Sequence, residues 1–125
     1  MLAGSPARNM VNAFDRNLAV DFDVTTGKNI KWKAALGTDS FAGPVVAGGR
    51  VFVGTNNENP RDPGLRGEAG VIMCFDAKSG KVLWLLVHKV LPNPAENYPK
   101  QGVASTPFVD GDYLYYVSNR CEVVC

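Results

Sequence analysis

The chain has 125 residues, 46% of them hydrophobic and 20% charged, with 13 Lys and Arg against 12 Asp and Glu. That is one domain's length with the composition of a protein that buries a core, and a net charge of +1 makes no electrostatic case for nucleic acid or an anionic membrane. No apolar run approaches the ~20 residues that span a bilayer, and the opening MLAGSPARNM has no apolar stretch of signal-peptide length.

Thirteen glycines and eight prolines suit a chain full of turns, and nothing of useful length carries the 3.6-residue apolar period of an amphipathic helix. The reading is all-β. Residues 1–17 fit no later pattern and read as a linker or a closing strand. Strands are expected at 18–22 and 28–35, around the turn DVTTG that runs from Asp23 to Gly27. A hairpin follows, with strands at 42–47 and 50–55 joined by Gly-Gly, a strong hairpin signal. After the loop NNENPRDPGLRGEAG (56–70) come strands at 70–75 and 81–87 around DAKSG, Asp76 to Gly80. The loop HKVLPNPAENYPKQG (88–102) leads to PFVDGDYLYYV, a second hairpin, and a further strand begins in CEVVC.

The chain repeats itself. DVTTGKNIKW returns as DAKSGKVLW, Pro44 aligns with Pro107, and Gly48 with Gly111. Asp23 and Asp76 are 53 residues apart, Cys74 and Cys125 are 51 apart. A period near fifty with about four strands per unit points to β-propeller blades of four antiparallel strands. One blade is complete (42–87), preceded by the two outer strands of a neighbour and followed by the two inner strands of another, with Cys125 in the place of Cys74. Open edges favour pairing, so the chain is expected to be a piece of a longer propeller or to assemble with copies of itself.

The pattern D-x-x-[TS]-G-K leading to Trp, followed by P-x-V-x-G, resembles the tryptophan-docking repeat of the PQQ-like, or quinoprotein, β-propellers, over roughly residues 18–125. That superfamily holds the quinoprotein alcohol dehydrogenases and the BamB-like outer-membrane assembly lipoproteins. The resemblance implies that Trp32 and Trp84 pack between neighbouring blades while Asp23, Gly27, Asp76 and Gly80 shape the turns. It implies a periplasmic or cell-envelope setting. The dehydrogenases hold PQQ beneath adjacent cysteines, with calcium and a catalytic Asp nearby, and this sequence has no Cys-Cys pair. The favoured reading is therefore a non-catalytic binding or assembly module. The alternative is part of a PQQ-dependent dehydrogenase whose cofactor site lies in other blades.

Strand alternation puts both long loops, 56–70 and 88–102, on one face, and loops of this length concentrate binding residues. That face is the candidate surface for a protein or polysaccharide. Asn57, Glu58, Asn59 and Asp62 offer oxygen ligands for a hard cation such as calcium, although their spacing matches no EF-hand loop. His88 is the only histidine and the one candidate general base, with no Ser or Cys partner assignable. Of the three cysteines, Cys121 and Cys125 would stand roughly 13 Å apart in an extended strand, too far for a disulfide.

Overall fold

The computed structural model describes residues 16–125. Its regular elements are β1 (Val45–Ala47), β2 (Arg50–Asn56), β3 (Ala69–Asp76), β4 (Val82–Lys89), a short 3-10 turn at Pro94–Glu96, β5 (Phe108–Asp110), β6 (Tyr113–Val117) and β7 (Val123–Val124). The described chain is all-β, with no α-helix, and its strands form antiparallel sheets. One sheet is the four-stranded meander β1-β2-β3-β4, the other the three-stranded β5-β6-β7. The four strands expected for 42–87 are all present, the first beginning at Val45 rather than residue 42.

The second sheet copies the register of the first. Val45 pairs Phe52 as Phe108 pairs Tyr115, and Val53 pairs Met73 as Tyr116 pairs Val124. The shift between copies is 63 residues on the first two strands and 51 on the third, so between equivalent ladder positions the chain from β6 to β7 is 12 residues shorter than that from β2 to β3. The long loop 57–68 thus belongs to the first sheet alone.

Strict alternation along β3 serves two cores. Val71, Met73 and Phe75 join Val53 on one face, where Trp32, Ala34 and Leu36 lie over them. Ile72 on the other face packs with Val103 and with Tyr116 and Leu114 of the second sheet. Burying each such side chain stabilises by about 1.5–3 kcal/mol. β3 is therefore the central strand, apolar on both sides, which is why it reads GVIMCF without a polar break.

The expected strands 18–22 and 28–35 do not form. The turn between them closes through a single bridge, Asp23 with Lys28, and the ladder then stops. Asn29 adopts φ 56°, a left-handed conformation outside the extended region of a regular strand, and its amide turns back to the Asp21 carbonyl at 2.9 Å. Asn29 is also the extra residue of the first copy, whose Trp follows its Asp by nine positions rather than eight. In the second copy the corresponding adjustment is a bulge, where Cys74 pairs Trp84 but Phe75 pairs Val82. Residues 1–15 of the segment read as a linker or closing strand lie outside the described residues.

Cys121 is not in a strand either. It sits at φ 58° in the turn between β6 and β7, where its N–H donates to the Ser118 carbonyl at 3.1 Å, so the extended-strand spacing does not apply. Cys121 and Cys125 are exposed free thiols and Cys74 is buried, its thiol pushed up by that burial.

Candidate functional site

The two copies of the turn share one plan, an Asp carboxylate capping the turn and a glycine N–H on the Asp carbonyl. In the first, Asp23 Oδ1 accepts the Thr25 N–H at 2.7 Å and the Thr26 N–H at 3.3 Å, and the Gly27 N–H reaches the Asp23 carbonyl at 2.9 Å. In the second, Asp76 Oδ1 accepts the Ser79 N–H at 2.7 Å and its hydroxyl at 2.6 Å, with the Gly80 N–H on the Asp76 carbonyl at 2.8 Å. Gly27 and Gly80 take φ 79° and 73°, which glycine adopts without steric cost. Hydrogen bonding holds both carboxyls below their ordinary value, from the Thr25 N–H at Asp23 and from the Ser79 side chain at Asp76.

Trp32 seats on the second turn. Its ring stacks on Phe75 at 6.1 Å and 24°, and its indole N–H donates to the Ala77 carbonyl at 3.1 Å. Trp84 lies against Phe52 at 6.0 Å on the face toward β5 and β6, and is 41% exposed. The six residues singled out in the repeat thus build turns and packing, with no reactive group among them directed at a shared space.

The antiparallel meander places the short turns at one end, where the Ala77 N–H meets the Gly49 carbonyl at 2.9 Å, and both long loops at the other. Asn56, the last residue of β2 and buried, ties that end together. Its Oδ1 accepts the Thr38 N–H at 2.9 Å, and its amide donates to Thr38 Oγ1 at 3.0 Å and to the Lys100 carbonyl at 2.8 Å. Lys100, at φ 61°, gives its N–H to Glu68 Oε1 at 2.8 Å and its ammonium to Glu58 at 3.4 Å. Glu58 also accepts the Thr38 hydroxyl at 2.8 Å, which with the nearby Lys100 charge lowers its pKa. Around these groups the loops enclose an open recess of about 650 Å³, walled by Glu58, Glu68, Arg66, Lys100 and the prolines 60, 63 and 99. Thr38 was not legible as a site residue, since it precedes β1 and reaches this end only because residues 36–40 run beside β2.

The proposed cation ligands do not converge. Asn57 directs its amide at the Leu65 and Gly67 carbonyls, Asn59 at Leu36, and Asp62 Oδ1 caps the Gly64 N–H at 2.8 Å. A cation at Glu58 would have to displace the Lys100 ammonium. Among the described residues no group of three or more His, Cys, Asp or Glu is arranged to hold a metal ion. This donor set does not fit calcium, and with the cysteines apart it does not fit the PQQ arrangement of the dehydrogenases.

His88, next to last in β4, pairs with Gly70. Its Nε2 lies 2.7 Å from the Tyr116 hydroxyl, ring edge toward ring at 5.6 Å, so it bridges the two sheets. Burial lowers its pKa, with Arg120 acting in the same direction and Glu122 against it. Tyr116 is pushed up by its own burial. No described helix is long and apolar enough to cross a membrane. No known protein family matches this chain, and no curated protein or solved structure does either.

Proposed function

We propose that this chain is a propeller-type repeat module that works by binding rather than catalysis, with its two long loops as the recognition surface for a protein or polysaccharide partner in the cell envelope. One observation carries the reading: loop 57–68 of the first sheet, matched in the second only by the short turn 118–122, closes on loop 90–107 through Lys100 to frame a charged recess with proline walls. Proline walls and a bonded Asn56 hub keep the surface preformed, which lowers the ordering cost of binding. The propeller assignment is supported by the meander order of the four strands and by the repeated register. The alternative, a segment of a PQQ-dependent dehydrogenase, has no observation in its favour at this face.

Amide NMR of the full chain, titrated separately with soluble peptidoglycan fragments and with extended proline-containing peptides, tests the binding reading. Saturable shifts confined to residues 57–68 and 98–102 are expected from one of these probes. Saturable, calcium-dependent binding of PQQ to the full-length protein, neighbouring blades included, would sink the scaffold reading and favour the dehydrogenase.

A further inference from the structure

Three side chains in the wall of the loop recess have bonding capacity that the described residues do not fill. Arg66 donates its Nε–H to the Pro63 carbonyl at 3.1 Å, which holds the guanidinium in place with its two terminal amino groups open. Glu68 accepts the Lys100 N–H on Oε1 at 2.8 Å and leaves Oε2 open. The ion pairs of the described residues are Lys28–Asp21, Lys100–Glu58 and Arg120–Glu122, so Arg66 and Glu68 pair neither with each other nor with another charge there. Asn57 is only 7% exposed. Its amide donates to the Leu65 and Gly67 carbonyls, and two carbonyl partners fix that end as nitrogen. Oδ1 is therefore an acceptor, and no described residue donates to it. A buried acceptor without a donor calls for a partner.

The three are tied to one another. Asn57 holds the Gly67 carbonyl at 3.0 Å, and Gly67 stands between Arg66 and Glu68 at φ 103°, where the chain turns in a conformation that side chains disfavour. Glu58 and Lys100 share the wall but neutralise each other. What faces a ligand is one positive group, one negative group and one amide oxygen. An anion would meet Arg66 and be repelled by Glu68, and a cation the reverse. No aromatic ring lines the recess for a sugar to stack on, and prolines 60, 63 and 99 supply its apolar walls.

We infer that the recess binds the head group of an α-amino acid, with its carboxylate on Arg66, its ammonium on Glu68 Oε2 and Asn57 Oδ1, and an apolar side chain against the prolines. This rests on the reading of the long-loop face as the recognition surface and names the group recognised there. A guanidinium takes a carboxylate through two parallel bonds, and an ammonium has donors for both oxygens. The recess of about 650 Å³ falls within the range of small-molecule sites, about 300–1,000 Å³. It has room for a free amino acid or for the same head group at the end of a longer branch of a larger partner.

Amide NMR of the full chain titrated with L-leucine is the test. Saturable shifts confined to residues 57–68 and 98–102 are expected. N-acetyl-L-leucine lacks the ammonium and L-leucinamide lacks the carboxylate, and each should bind at least roughly tenfold more weakly. Arg66→Gln and Glu68→Gln should each weaken L-leucine by a similar factor. Both side chains are exposed, and an unchanged spectrum away from the recess verifies the fold. Nε-acetyl-L-lysine carries the head group on a longer side chain. Tighter binding than L-leucine assigns the group to a branch of a larger partner, and weaker binding assigns it to the free amino acid. Absence of saturable shifts with both amino acids overturns the inference, as do blocked analogues that bind like L-leucine or variants that lose nothing. If peptidoglycan fragments or proline-containing peptides still shift the same residues, only the head-group assignment falls. If they do not, the recognition reading falls with it.

Discussion

Trp32 covers Gly80 so closely that a Cβ there would stand 2.6 Å from indole Cδ2. The glycine is required twice, by its φ of 73° and by the ring above it. Gly27 shares only the first requirement. Gly27→Ala is therefore expected to cost about 1–2 kcal/mol, the price of a left-handed L-residue, and Gly80→Ala at least about 1 kcal/mol more, because overpacking adds to it. Urea denaturation of the two variants measures the difference. Equal losses would mean that the indole does not hold this position in solution.

The two tryptophans should differ in the same experiment. Trp32→Ala removes the Phe75 stack and the bond to the Ala77 carbonyl, an expected loss of about 2–4 kcal/mol. Trp84→Ala, at a site 41% exposed, should cost less than half of that when measured at low protein concentration.

Asn56 is the test of the loop face. Replacing it by Ala removes its bonds to the Thr38 N–H and the Lys100 carbonyl, both on exposed residues that water can reach, and each such bond contributes about 0.5–1.5 kcal/mol net. The expected result is a fall in stability of about 1–3 kcal/mol. It should come with faster amide exchange at Thr38 and Lys100, while the short-turn end keeps its protection.

His88 makes the contact between the sheets pH-dependent. Its folded pKa lies below the ordinary 6.5, so below pH 6.5 the unfolded chain binds more protons at this site, and stability falls as pH drops through that window. Urea midpoints between pH 5 and 7.5 should rise with pH, and the slope should flatten in His88→Gln. Tyr116→Phe, which loses only the hydroxyl, should cost about 0.5–1.5 kcal/mol and keep most of the slope, since burial is the main cause of the shift.

At lower pH the turns take over. Asp23 and Asp76 have folded pKa values below the ordinary 3.8. The stability they lend is present above that value and is lost as pH falls through the depressed one. Asp76→Asn should reduce the acid sensitivity below pH 3.8, as followed by circular dichroism.

The four strands of the first sheet were legible because their β-branched and aromatic runs end at glycine turns whose chemistry is local. The same holds for the two Asp-to-Gly turns, where each bond spans at most four residues, and for both long loops sharing one end, which strand alternation alone requires. Strand 28–35 was misread because β-propensity says nothing of a partner strand, and Asn29 spends its side chain on Asp21 instead. Thr38 at the loop face, the Lys100 link and the His88–Tyr116 pair were not legible either. They join residues 18 to 44 positions apart in the chain, and no local pattern encodes which distant backbone group a buried amide or imidazole will meet. Sequence determined the alternation, the turns and the ends to which loops go. Tertiary structure decided which polar groups lost their water together, and with that which loop residues frame a recess and which only hold the loop's own backbone.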